Sequence, residues 1–117
     1  MTTNISIIGS GFGMYGLLPA FGQIHDCDVV SICGKDSERM RKFCTKYDTA
    51  LYSNWKEMIE KEKPDAVGIA VVPDHQYEIA RFALENDIGV FAEKPLTISV
   101  SESDLLTKLA KKKAYPI

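Results

Sequence analysis

Five short apolar runs, each followed by a longer stretch with helical spacing, restrict the folds open to this chain more than any other feature. The runs are residues 5–8 (Ile-Ser-Ile-Ile), 28–33, 50–52, 66–72 and 89–92. Residues 66–72 are continuously apolar, as a strand buried on both faces should be. Helices are expected over residues 14–24, 37–47, 54–63, 74–85 and 101–113. Pro19 should bend the first helix or shift its start. Asp36 or Ser37 is placed to cap the second. Asn54 with Glu57, and Ser101 with Asp104, read as capping boxes, and Asp74 as a further cap. Alternation of this kind implies parallel strands joined by right-handed crossovers. The expected class is α/β, with a doubly wound sheet.

The chain has 117 residues, room for one domain and little more. A formal net charge of −2 supplies no field that would draw it to nucleic acid or an anionic membrane. Lys111, Lys112 and Lys113 read as a solvated helix end. Cys27, Cys33 and Cys44 are odd in number and match no metal or disulfide spacing; two of them read as small core residues. The first residues carry no basic leader, and no apolar stretch reaches the roughly 18 residues of a membrane span. A reducing cytoplasm is the expected location.

The first run ends in Gly9-Ser10-Gly11-Phe12-Gly13-Met14-Tyr15-Gly16. Two registers of a G-x-G-x-x-G pattern fit. One begins at Gly11 and is formally complete. The other begins at Gly9, at the strand end, with Met14 in the third place. The second is preferred, because the strand fixes where the turn begins. A first glycine permits the tight turn and a second lets backbone approach a pyrophosphate. The following helix N-terminus then offers free N–H groups and a positive dipole end. The expected ligand is a dinucleotide.

Other strand ends refine this. An acidic residue for the ribose hydroxyls is usual at the end of the second strand. Here Gly34 takes that place and Lys35 follows. Losing a carboxylate and gaining an ammonium favours a 2′-phosphate, so NADP is expected over NAD; Ser37 and Arg39 could add contacts. The alternative leaves Lys35 solvated and gives the ribose to Asp36. The fourth strand ends in Val72-Pro73-Asp74-His75-Gln76; His75 lies near the helix N-terminus and, taken alone, reads as a surface helix residue ahead of a cofactor contact. The fifth ends in Glu93-Lys94-Pro95, a charged pair on a core-like strand. Lys94 could bond a substrate hydroxyl or the nicotinamide ribose and assist proton transfer, with Glu93 orienting it. A salt-bridged sheet terminus is the competing reading.

Taken together, IIGSGFGMYGLLPAF, DAVGIAVVPDHQYEIARFALEN and VFAEKPL resemble the N-terminal domain of the glucose–fructose oxidoreductase/inositol dehydrogenase/rhizopine-catabolism (Gfo/Idh/MocA) family, from Ile5 to about Tyr115. The resemblance implies a Rossmann-type sheet of order 3-2-1-4-5 and an NAD(P)-dependent oxidoreductase acting on sugars or polyols. It implies that Gly9, Gly11, Phe12 and Gly13 surround the pyrophosphate and that Val72 and Pro73 lie along the cofactor. Glu93 and Lys94 would flank the nicotinamide, with Lys94 nearest the reacting carbon. Three positions depart from the family pattern. Met14 replaces the third glycine, Gln76 stands where a histidine is common, and Asp87 replaces a helix-ending glycine.

Family members carry a second α/β domain with most of the substrate pocket and a further Asp/His pair. This sequence stops before the strand leading into it, so the expectation is a chain that binds cofactor and turns over no sugar alone. A fifth strand left as an edge would favour self-association. Two other readings stay open: a non-catalytic dinucleotide-binding or redox-sensing module, and an adenine-ligand domain that uses no nicotinamide.

Overall fold

The structure is a computed structural model and describes residues 2–9, 16, 20, 23–71, 73–92 and 100–113. Five strands, β1 (Thr3–Ile8), β2 (Cys27–Cys33), β3 (Ala50–Tyr52), β4 (Ala66–Ile69) and β5 (Gly89–Ala92), form one sheet of order β3-β2-β1-β4-β5. Every pairing is parallel. Four helices lie among the described residues: α1 (Glu38–Lys46), α2 (Trp55–Glu62), α3 (Pro73–Glu85) and α4 (Val100–Lys113). This is the α/β, Rossmann-type arrangement and strand order expected from the sequence. The helix expected over residues 14–24 falls largely outside the described residues. Its last expected residue, Ile24, lies in a turn that feeds β2, where the Cys27 amide bonds the Ile24 carbonyl at 3.1 Å.

Two cores explain the doubly wound form. On one face, Ile5 and Ile7 of β1 and Val29 and Ile32 of β2 pack with Met40 and Cys44 of α1. On the other, Ile8, Val67, Ile69 and Val90 pack with Met58 and Ile59 of α2, Ile79, Ala80, Ala83 and Leu84 of α3, and Leu106 and Ala110 of α4. Alternating side chains of β1 therefore serve both cores, as a central parallel strand must. The outer strand β5 turns Phe91 outward, 52% exposed.

Element ends follow local chemistry, with some departures from expectation. Ser37, not Asp36, caps α1: its Oγ accepts the Met40 amide at 3.1 Å, while Asp36 pairs with Arg41 at 2.9 Å. Asn54 Oδ1 caps α2, accepting from Lys56 N at 2.9 Å and Glu57 N at 3.0 Å. The reciprocal half of that capping box does not form, because the Glu57 carboxylate pairs with Lys61 one turn on, at 2.9 Å. Helix α3 opens at Pro73, a residue suited to the first helical position, rather than after an Asp74 cap. Ser101 is the second residue of α4 and so cannot be its N-cap. Strand β4 stops at Ile69, three residues short of the apolar run; its last register partners are Ile8 of β1 and Ala92 of β5. The turns after α1, α2 and α3 each hold a left-handed residue: Asp48 (φ 52), Lys63 (φ 45) and Asp87 (φ 62). Asp87 thus adopts the conformation for which the family pattern uses glycine, and single aspartates tolerate it.

One polar contact lies inside the sheet. Ser6 of β1 and Ser31 of β2 are both fully buried and share a hydrogen bond of 2.6 Å between their hydroxyls. Either S6A or S31A strands the remaining hydroxyl without this partner and should cost about 1–3 kcal/mol. The double variant S6A/S31A should cost clearly less than the sum of the two. Urea unfolding of the three variants measures the coupling.

Candidate functional site

The carboxyl ends of β1, β2, β3 and β4 meet at one end of the sheet. Backbone hydrogen bonds carry the pairing just past the strands: Gly9 N to Cys33 O at 2.9 Å, Gly34 N to Tyr52 O at 2.9 Å and Ala70 N to Ile8 O at 2.8 Å. They fix Gly9, Gly34 and Ala70 as the floor of a cleft of about 750 Å³. That volume is within the range of small-molecule and cofactor sites. Its described lining includes Gly9, Gly34, Lys35, Trp55, Val71 and His75.

Gly9 is the tightest point. Its φ is +129°, and a Cβ there would stand 2.3 Å from the Ala70 carbonyl oxygen. The chain therefore turns directly at the end of β1, with β1 and β4 backbones in close approach that no other residue permits. Its amide donates to Cys33. Gly9 thus contributes the turn and the bare surface, and its N–H is spent within the sheet rather than offered to a phosphate.

The Gly34 amide is tied to β3, which leaves Lys35 exposed at the cleft rim. Asp36 turns away to the Arg41 guanidinium, and that guanidinium competes with any ribose hydroxyl for its carboxylate. His75, in the first turn of α3, is exposed and lines the cleft, whereas Gln76 is 1% exposed and points inside. Two neighbouring residues on a helix face directions about 100° apart, which explains the difference. Pro73 opens α3 beside Val71. Gly11, Phe12, Gly13, Val72, Glu93 and Lys94 lie outside the described residues.

Of the predicted residues, Gly9, Gly34, Lys35 and His75 thus converge. Trp55, Ser53, Val71, Glu78 and Ile79 share the cleft and were not anticipated. The rule that ligands sit at strand carboxyl ends would have found Ser53 and Trp55, had it been applied to the third strand. Glu78 and Ile79 carry a weaker signal, being one helical turn beyond His75.

Cys33 also lines the cleft but is buried, and burial pushes its thiol from an ordinary 9.0 up to about 11. Such a thiol stays protonated near neutrality and is a poor nucleophile.

Residues 3–116 match the family model described as the Gfo/Idh/MocA oxidoreductase family, NAD-binding Rossmann fold. The chain belongs to the Gfo/Idh/MocA family. An uncharacterized oxidoreductase of Synechocystis is 30% identical over 97% of the chain. The dTDP-3,4-didehydro-2,6-dideoxy-alpha-D-glucose 3-reductase of Saccharopolyspora spinosa is 29% identical over 93% of it. The chain spans about a third of the length of each, 31% and 33% respectively. Among solved structures, a myo-inositol 2-dehydrogenase from Lactobacillus plantarum superposes with a TM-score of 0.86 at 27% identity, over 97% of this chain and 34% of that one. The chain is thus an NAD-binding Rossmann domain of an oxidoreductase family whose relatives include sugar-related enzymes. No helix among the described residues is long and apolar enough to cross a membrane.

Two outcomes test this geometry. G9A should lower stability by several kcal/mol or prevent folding, because the new methyl meets backbone and not a flexible side chain; thermal unfolding measures it. Cys33 should react with iodoacetamide roughly 100-fold more slowly at pH 8 than an ordinary thiol, given its two-unit rise. Between pH 9 and 11 the unfolded chain loses this proton first, so the thiol's contribution to stability falls as pH rises.

Proposed function

We infer that this chain is the cofactor-binding part of a sugar or polyol oxidoreductase, with NADP held in preference to NAD. The observation that carries the reading is the cleft floored by Gly9 and Gly34, in a chain of this family. The residues present fit the group. Two side-chain-free positions leave room for a dinucleotide, and Lys35 supplies positive charge at the rim. Asp36 is engaged by Arg41, so the acid one residue late does not replace the missing ribose carboxylate.

When bound, the nicotinamide supplies hydride exchange with a carbinol carbon. The chain's own residues hold and orient. Gly9, Gly11, Phe12 and Gly13 would hold the pyrophosphate, with amides after Gly9 as its donors. Val72 and Pro73 border the cofactor. Lys35 faces the 2′-phosphate, and His75 lines the same side of α3. Lys94, two residues past β5, donates to the substrate oxygen and moves its proton, and Glu93 orients the ammonium.

The 117 residues span about a third of the length of the curated relatives, and cofactor binding rather than sugar turnover is the role assigned to them. The exposed Phe91 on the outer strand favours self-association of that chain at high concentration. The raised Cys33 thiol argues against a redox-sensing role through this cysteine.

Calorimetric titration separates the cofactors. NADP should bind at least several-fold more tightly than NAD, and K35A should remove most of that advantage while leaving NAD binding nearly unchanged. Tighter binding of NAD by the unaltered chain would reverse the assignment.

A further inference from the structure

We propose that Trp55 is the purine platform of the cleft, the aromatic wall that stacks on the adenine ring and fixes the direction in which the dinucleotide lies. The proposal rests on the cofactor reading above.

The placement follows from connectivity in the ligand. In NADP the 2′-phosphate and the adenine are attached to one ribose. If Lys35 receives that phosphate, the purine lies within one ribose of Lys35. The side chains of that region come from the end of β2, the segment after β3 and the first turns of α3. Among the described lining residues other than His75, Trp55 offers the only aromatic surface, and it is the chain's single tryptophan. Val71 and Ile79 add aliphatic lining, and Ser53 and Glu78 add polar lining. A large π-face with aliphatic neighbours suits a purine.

Trp55 is also held in place before any ligand arrives. It is the first residue of α2, directly after the Asn54 cap that accepts two amides. Its ring packs edge-on against Phe82 of α3, with centroids 5.4 Å apart and planes at 77°. The Lys56 ammonium sits 5.0 Å from the same Phe82 ring centroid. At the far end of α2 the Tyr52 hydroxyl donates to the Glu62 carboxylate, which joins the end of β3 to the helix end. That hydrogen bond, with burial second, pushes the Tyr52 hydroxyl up to about 12. Trp55 is half-buried: one part of the ring is committed to the core and another faces the cleft. A fixed ring loses little freedom on stacking, which is the condition for a useful platform.

Because Trp55 is the single tryptophan, its emission reports on this wall alone. The unaltered 117-residue chain is titrated with 2′,5′-ADP, the adenine half of NADP, and separately with nicotinamide mononucleotide, while calorimetry records binding. The expected result is saturable change of the Trp55 emission with 2′,5′-ADP at the calorimetric affinity, and none with the mononucleotide. W55L should weaken 2′,5′-ADP roughly ten-fold, and W55F should recover most of that loss. Far-ultraviolet circular dichroism checks that both variants fold, and the unaltered chain gives the answer whether they fold or not. Calorimetric binding of 2′,5′-ADP with unchanged emission overturns the proposal and leaves the cofactor reading standing. Equal change with the mononucleotide overturns the assigned direction. Absence of binding heat for both NADP and 2′,5′-ADP overturns the two readings together.

Discussion

Everything at the business end of this domain depends on the close approach of two backbones, Gly9 of the first turn and Ala70 beyond the fourth strand. With a Cβ only 2.3 Å from the Ala70 carbonyl oxygen, any other residue would push β1 and β4 apart at their ends. The Ala70–Ile8 hydrogen bond, at 2.8 Å, accompanies that approach, and the Gly9–Cys33 bond, at 2.9 Å, ties the same turn to β2. They hold three strand ends level, and level strand ends make a floor. A cleft over a parallel sheet is therefore a consequence of one missing side chain as much as of the strand order.

That constraint also sorts the roles of the glycines. The usual account of such a turn gives the phosphates to backbone amides in general. Here the first of those amides is consumed in extending the sheet, so Gly9 shapes the site. Gly34 works similarly at the second strand. Its amide bonds to Tyr52 of β3, and this sets Lys35 at the rim. The electrostatics of the rim then depend on a pairing that is not local to the cleft. Asp36 is drawn to Arg41 on α1, while Lys35 stays at the cleft rim. Surface ion pairs of this exposure contribute little to stability. Their effect here is on which charge is left to meet a ligand.

The buried hydroxyl pair of Ser6 and Ser31 shows the same economy inside the sheet. Two polar side chains on adjacent central strands are tolerated because each answers the other at 2.6 Å. Both sit within apolar strand runs, where sequence pattern marks them only as interruptions. Their partnership depends on the register of β1 with β2, which shifts between Ile5 and Ser6.

Much of the architecture was legible in the chain itself. Apolar runs at strand length and helical periodicity between them require burial on two faces, so the parallel, doubly wound sheet follows from local pattern. Ser37 and Asn54 announced helix starts because their side chains are the right length to accept amides two or three residues on. The turn at Gly9 was legible because a strand must stop where the glycines begin. Other features needed the fold. Strand β4 ends at Ile69, level with Ile8 of β1 and Ala92 of β5, a register that the apolar run to Val72 does not reveal. Glu57 chose Lys61 over its cap, and Ser101 fell inside a helix, because helix starts are decided by competing partners and packing. Trp55 joined Lys35 and His75 only when the third strand came to lie beside the second, for proximity between residues far apart in sequence is set by strand order and not by spacing along the chain.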